Sequence, residues 1–90
     1  MILTSNHEYF YINYVKLGQY LMELREQKYG KRSRCEFVRL LNKNGHYRWD
    51  QSAYRKIELG QAEITIDRLC EVCIYLDVMP TEVLRRGTYC

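Results

Sequence analysis

From about Asn13 onward the apolar residues of this chain recur with a helical period. Val15, Leu17, Leu21 and Leu24 fall at steps that share one helix face, with Tyr14 and Tyr20 beside it. Lys28 in a basic last turn and Gly30 as a stop residue place this first helix at 13–29. Ser33-Arg34-Cys35-Glu36 has the spacing of a capping box, and Phe37, Val38, Leu40 and Leu41 continue it as a second helix over 34–43. Asn44-Gly45 ends that helix, and His46 to Trp49 form a connector. Asp50 is a good N-cap for a third helix, 51–59, closed by Gly60. Tyr54 and Ile57 point one way in it, while Gln51, Ser52, Arg55 and Lys56 make the other face polar and basic. Thr65 caps a fourth helix over 66–76, with Ile66, Leu69, Val72, Cys73 and Leu76 inward. Pro80 opens a fifth over 80–86, with Val83 and Leu84 on its apolar side.

No strand pattern appears after residue 13. Residues 1–12 are aromatic, with Tyr9, Phe10 and Tyr11 adjacent, and read either as a short strand or as an arm. The expectation is an all-α chain, a compact five-helix bundle with a short N-terminal aromatic arm. Ninety residues allow one domain and one core. At 47% hydrophobic and 28% charged, the mix is that of a globular chain and not of a disordered one. No apolar run approaches the roughly 20 residues of a membrane span. The N-terminus lacks the basic stretch and apolar run of a signal peptide, so a soluble cytoplasmic protein with no membrane partner is expected.

Charge changes the picture more than composition does. The net charge is only +3, but residues 25–56 carry +7 and residues 57–84 carry −5. A basic middle beside an acidic C-terminal half fits a molecule with a polyanion-binding side; a merely solvated surface fits as well. The cysteines bear less weight. Cys70-x-x-Cys73 has half the spacing of a zinc site, but no second pair follows, and Cys73 falls on the apolar stripe of the fourth helix. Cys73 is therefore expected in the core and Cys70 at the surface. His7 and His46 form no ligand cluster, so neither metal nor cofactor is expected. No nucleophile–base pair, carboxylate pair or phosphate-binding glycine loop is present, so no enzyme is expected.

Four stretches together resemble a known family. They are Leu17-Gly18-x-x-Leu21-x-x-Leu24-Arg25, Ser33-x-x-Glu36-Phe37-Val38, Gln51-Ser52-x-Tyr54-x-Lys56-Ile57-Glu58-x-Gly60, and Thr65-x-x-x-Leu69-x-x-Val72-Cys73-x-x-Leu76-x-Val78-x-Pro80-x-Glu82-Val83-Leu84. Over about residues 15–84 they are similar to the phage repressor and Cro-like helix-turn-helix proteins, the Xre family. The resemblance implies a lambda-repressor-like bundle in which helices 2 and 3 form the helix-turn-helix and helix 3 reads the DNA major groove. It divides the chain into an arm at 1–12, a DNA-binding domain at 13–86 and a tail at 87–90.

Physical chemistry gives these positions a role. A Gln amide both donates and accepts, which suits adenine, and Arg forks onto guanine. Gln51, Ser52 and Arg55 are accordingly the expected base contacts, at the helix start and one turn on. Arg34, Lys43, Arg48 and Lys56 are the expected phosphate contacts, and Arg34 matches a family position that also supports the first Gln. Arg25 and Glu58 match positions that commonly form an internal ion pair; two independent surface charges are the alternative.

The chain departs from the pattern twice. Lys43 to Arg48 are extra between helices 2 and 3, so the turn is longer; they either add backbone contacts or form a plain surface loop. Tyr54 stands where an aliphatic residue is usual, and its hydroxyl needs a partner or a route to solvent. Trp49 is read as a core residue, with base stacking as the alternative.

The function expected from the resemblance is a sequence-specific transcriptional regulator of the kind found among small phage and mobile-element repressors, bound to double-stranded DNA. A homodimer on an inverted repeat is expected, because one such unit reads only a few base pairs. Its contact surface is expected at Val83, Leu84, Tyr89 and Tyr9 to Tyr11. The alternative is an antitoxin-type module that binds a small protein partner and also represses its own operon.

Overall fold

The structure, a computed structural model, describes the backbone of residues 2–5 and 8–89 and the side chains of residues 12–88. His7 and Cys90 lie outside the described residues, as do the side chains of Tyr9 to Tyr11 and Tyr89. The chain runs β1 (Ile2–Ser5), β2 (Glu8–Ile12), α1 (Tyr14–Tyr29), α2 (Arg34–Asn44), α3 (Gln51–Glu58), α4 (Ile66–Leu76), α5 (Pro80–Arg86) and β3 (Thr88–Tyr89). The five-helix bundle stands as expected, and α4 and α5 keep their expected bounds.

Local chemistry sets most of the helix ends. The Asn13 side chain accepts from the N–H of Val15 and Lys16 and starts α1. Asp50 accepts from Ala53 at 3.0 Å to start α3, and Thr65 accepts from Arg68 at 3.3 Å to start α4. The capping box expected at the start of α2 does not form. Ser33 is buried, its hydroxyl donates to the Gly30 carbonyl at 2.6 Å, and it accepts from Arg25 at 2.8 Å. A buried guanidinium needs that oxygen, and no side-chain cap is left for the helix. Helix α3 ends at Glu58, one residue earlier than expected, with Leu59 as its cap.

Two glycines mark close approaches. A Cβ on Gly18 would lie 2.2 Å from the Ile57 carbonyl oxygen, so α1 and α3 meet backbone to backbone there. Gly60 has φ +75, and a Cβ on it would lie 2.6 Å from the Val15 Cα. Val15 itself is 59% exposed, not inward as its period suggests: Gly60 lies against its backbone and one methyl, and the rest of the side chain faces solvent. Leu17, Leu21, Phe37, Val38, Leu41 and Tyr54 form the centre of the core. Trp49 joins it at 4% exposure, so the core reading of this residue holds. Rings run through it in series: Tyr29 to Phe37 at 5.3 Å, Phe37 to Tyr54 at 5.6 Å, and Tyr54 to Trp49 at 5.9 Å.

The N-terminal segment is a hairpin. Ile2 pairs with Tyr11 and Ser5 with Glu8, antiparallel. The tail contributes a strand that the sequence pattern did not show, with Tyr89 opposite Tyr11 and Thr88 opposite Ile12. Two residues are too few to display a period. The 2.6 Å bond from the Asn13 N–H to the Gly87 carbonyl holds the start of α1 beside the end of α5. No helix among the described residues is long and apolar enough to cross a membrane.

Candidate nucleic-acid interface

Helix α3 presents its first turn and one long side to solvent. Gln51, Ser52, Arg55 and Lys56 are all exposed, whereas Tyr54, Ile57 and Glu58 are buried. The division follows the 3.6-residue period of eight consecutive residues, so the outer side chains share one convex strip. Lys43 and Arg48 are exposed at the link that leads into it. Gln51 is already oriented, because its side-chain amide donates to the Cys35 carbonyl at 3.2 Å. The carbonyl of α2's first turn therefore supports Gln51. Arg34, which the resemblance assigned to that task, is directed elsewhere.

Its Nε donates to Glu58 at 2.9 Å. The same carboxylate receives Arg25 through two bonds, Nε to Oε2 at 2.7 Å and Nη2 to Oε1 at 3.0 Å. Arg25 and Glu58 are 1% and 2% exposed, while 29% of the Arg34 side chain remains at the surface. Two guanidiniums, one carboxylate and the Ser33 hydroxyl thus tie α1, the start of α2 and the end of α3 together. Burial alone would lower the Arg25 pKa; the Glu58 carboxylate outweighs it and holds the guanidinium above its ordinary value.

Beside this cluster the Tyr54 hydroxyl has no hydrogen-bond partner among the described residues. The Glu58 carboxylate stands close enough to act on it, but outside good hydrogen-bond geometry. Burial, and then the neighbouring Glu58 carboxylate, push its pKa well above the ordinary value.

The link between α2 and α3 is shorter in effect than its length suggests. Lys43 belongs to α2, and Asn44 extends the helix one residue past the expected end at 43. Asn42 then grips Trp49 from both sides: its amide donates to the Trp49 carbonyl at 2.8 Å, and its oxygen accepts the Trp49 N–H at 2.6 Å. The side-chain amide closes the neck of the loop as a main-chain turn would. Sequence reasoning missed Asn42 as a functional residue. It also missed Arg68 of α4, whose guanidinium lies 4.8 Å from the Trp49 ring and 5.0 Å from the Tyr47 ring and donates to the Arg48 carbonyl at 2.9 Å. Neither contact has a sequence period.

Other expected positions fall differently. Val83 is fully buried within its own chain and Leu84 is half-buried against the core, so Val83 is removed from any dimer surface. The outer side of α5 is charged instead, with Glu82 bonded to Arg85 at 2.7 Å and Arg86 3.5 Å away. Cys73 is buried, and burial raises its thiol to about 12. Cys70, expected at the surface, is half-buried, and no group of metal-ligating side chains occurs among the described residues. The chain matches no protein-family model, no curated protein and no solved structure.

Proposed function

We propose that the protein is a sequence-specific double-stranded DNA-binding transcriptional regulator, a repressor of the Xre type that reads the major groove with α3. The observation that carries the reading is the two-sided build of α3. Its outer strip offers an amide, a hydroxyl and two cations to solvent, and its inner side is locked to α1 and α2 by the Arg25–Glu58–Arg34 cluster. A rigid helix with exposed polar ends is what the major groove admits and what base edges recognise. Gln51, Ser52 and Arg55 are assigned to base edges. Lys43, Arg48, Lys56 and the exposed part of Arg34 are assigned to phosphates. The regulator acts as a homodimer on an inverted repeat, since two half-sites about one helical turn apart supply specificity that one short helix lacks.

Selection of bound duplexes from a random pool tests the reading. Enrichment of a palindrome is the expected result, with affinity falling steeply as salt rises, by a log–log slope of about −0.9 per phosphate contacted. No enrichment, or binding indifferent to salt, would sink it. Sedimentation with the selected duplex checks the dimer: two chains per palindrome are expected, and one chain at saturation rejects it.

A further inference from the structure

The extra residues between α2 and α3 form a tethered projection and not a loose loop. Asn42 closes its neck on Trp49, and Arg68 holds its far limb by lying over Tyr47 and Trp49 and bonding the Arg48 carbonyl. On its outer side is an open cleft of about 530 Å³ lined by Asn42, Gly45, His46, Tyr47 and Arg48. Among the described residues no acceptor takes the backbone N–H of His46, Tyr47 or Arg48. Unclaimed N–H groups beside an exposed cation are donors that an anion can take. Two carboxylates are close, and their placement matters. Glu71 is buried beneath Gly45, where a Cβ would strike its Oε1, and neither of its oxygens has a hydrogen-bond partner among the described residues, so any anion in the cleft must sit on the Arg48 side; Asp67 lies by Tyr47 with Arg68. Arg48 is the exposed cation of the cleft.

We propose that this cleft takes one phosphodiester of the DNA backbone, just outside the base pair met by Gln51, with Arg48 and the free loop N–H groups as donors. Arg68 is its positioning residue: it touches no phosphate and holds Tyr47 to Trp49 in place. The proposal rests on the DNA-binding reading and adds to it a contact that the tight turn of ordinary helix-turn-helix units has no chain to make.

The experiment uses the full chain and the selected duplex over a salt series, with ethylation interference on the same complex. Arg48→Ala, an exposed position, is expected to reduce the steepness of the salt dependence by about 0.9 and to abolish interference at one phosphate flanking the half-site, leaving the preferred sequence unchanged. Arg68→Gln is expected to lose the same increment and the same interference signal, and to shift Trp49 fluorescence as the cation leaves the indole face. The double variant is expected to lose nothing more than either single one. If the parent protein binds the duplex and Arg48→Ala keeps its slope and interference pattern, the cleft holds no phosphate and the proposal falls alone. If the parent protein binds no DNA, the underlying reading falls first and takes the cleft with it. If Arg68→Gln shifts the fluorescence but keeps the slope, Arg68 is no positioning residue.

Discussion

Tyr54, Ile57 and Glu58 on the inner face of α3 are at most 7% exposed, whereas Gln51, Ser52, Arg55 and Lys56 on its outer face are all open to solvent. Both faces carry charge, but under opposite rules. On the inner face a charge survives only with full pairing, which is why Glu58 takes bonds from both Arg25 and Arg34 and why Arg25 also uses Ser33. On the outer face Arg55 and Lys56 are exposed and have no ion-pair partner among the described residues, so a ligand can reach them. The inner face should therefore govern stability and the outer face binding, with little crossover between them.

The largest expected effect breaks the inner face. Glu58→Ala strands a buried guanidinium, and removing one partner of such a pair costs about 3–5 kcal/mol. Arg34→Ala should cost under about 1 kcal/mol, because Arg34 is partly solvated and Arg25 still holds the carboxylate. Denaturant unfolding measures both. Equal losses for the two variants would show that the carboxylate does not depend mainly on Arg25. Replacing Arg25 and Glu58 together by apolar residues of similar volume should recover much of the loss, since a well-packed apolar pair is often as stable as a buried ion pair.

Next comes the contact that seats the inner face on α1. Gly18→Ala places a methyl group against the Ile57 and Glu58 carbonyls, both backbone groups that cannot rotate aside. Alanine favours a helix over glycine, yet the overpacking should dominate and destabilise by about 1–3 kcal/mol. A gain in thermal stability would mean that α3 slides freely on α1 and is not a rigid reading head.

The outer face gives a smaller change in folding and a clear one in binding. Gln51→Ala should leave unfolding within about 0.5 kcal/mol of the parent. On the preferred duplex it should cost about 1–3 kcal/mol and relax preference at one base pair. If selected and random DNA bind the variant as they bind the parent, the outer face is wrongly assigned.

Much of this architecture was legible wherever the cause is local. Thr65 and Pro80 act within one turn of themselves, so α4 and α5 were bounded by their own residues. The polar strip of α3 follows from its period. Contacts that bind distant residues were not legible. The Ser33 motif has the spacing of a cap, but a buried arginine eight residues earlier claims its hydroxyl. Asn42 meeting Trp49, and Arg68 covering Tyr47 and Trp49, depend on how α2 and α4 pack, and no spacing announces them. The Arg25–Glu58 pair was reachable only through the family resemblance, because charge on an amphipathic helix ordinarily reads as surface. The strand at Thr88–Tyr89 exists through its partner and not through its composition.

The smallest expected effect sharpens the boundary between the two faces, at an inner-face hydroxyl with no well-formed hydrogen bond among the described residues. The Tyr54 hydroxyl is buried and makes no well-formed hydrogen bond among the described residues, so the fold bears most of its desolvation without return. Tyr54→Phe keeps the ring contacts with Phe37 and Trp49 and removes only that oxygen. It should stabilise the protein at neutral pH by about 1 kcal/mol or less. The pH dependence carries the stronger signature. The folded-state pKa of Tyr54 is raised above the ordinary value of 10.0, first by burial and then by Glu58. The folded protein therefore keeps its proton where the unfolded chain releases it. The stability tied to that neutral phenol is fully present below pH 10 and is lost as pH climbs past 10 toward the folded pKa. Tyr54→Phe has no such loss, so the gap between variant and parent should widen above pH 10 in urea unfolding followed by circular dichroism. A gap that stays constant across that range would mean that the hydroxyl reaches water, and that the inner face of α3 is wetter at Tyr54 than at Glu58.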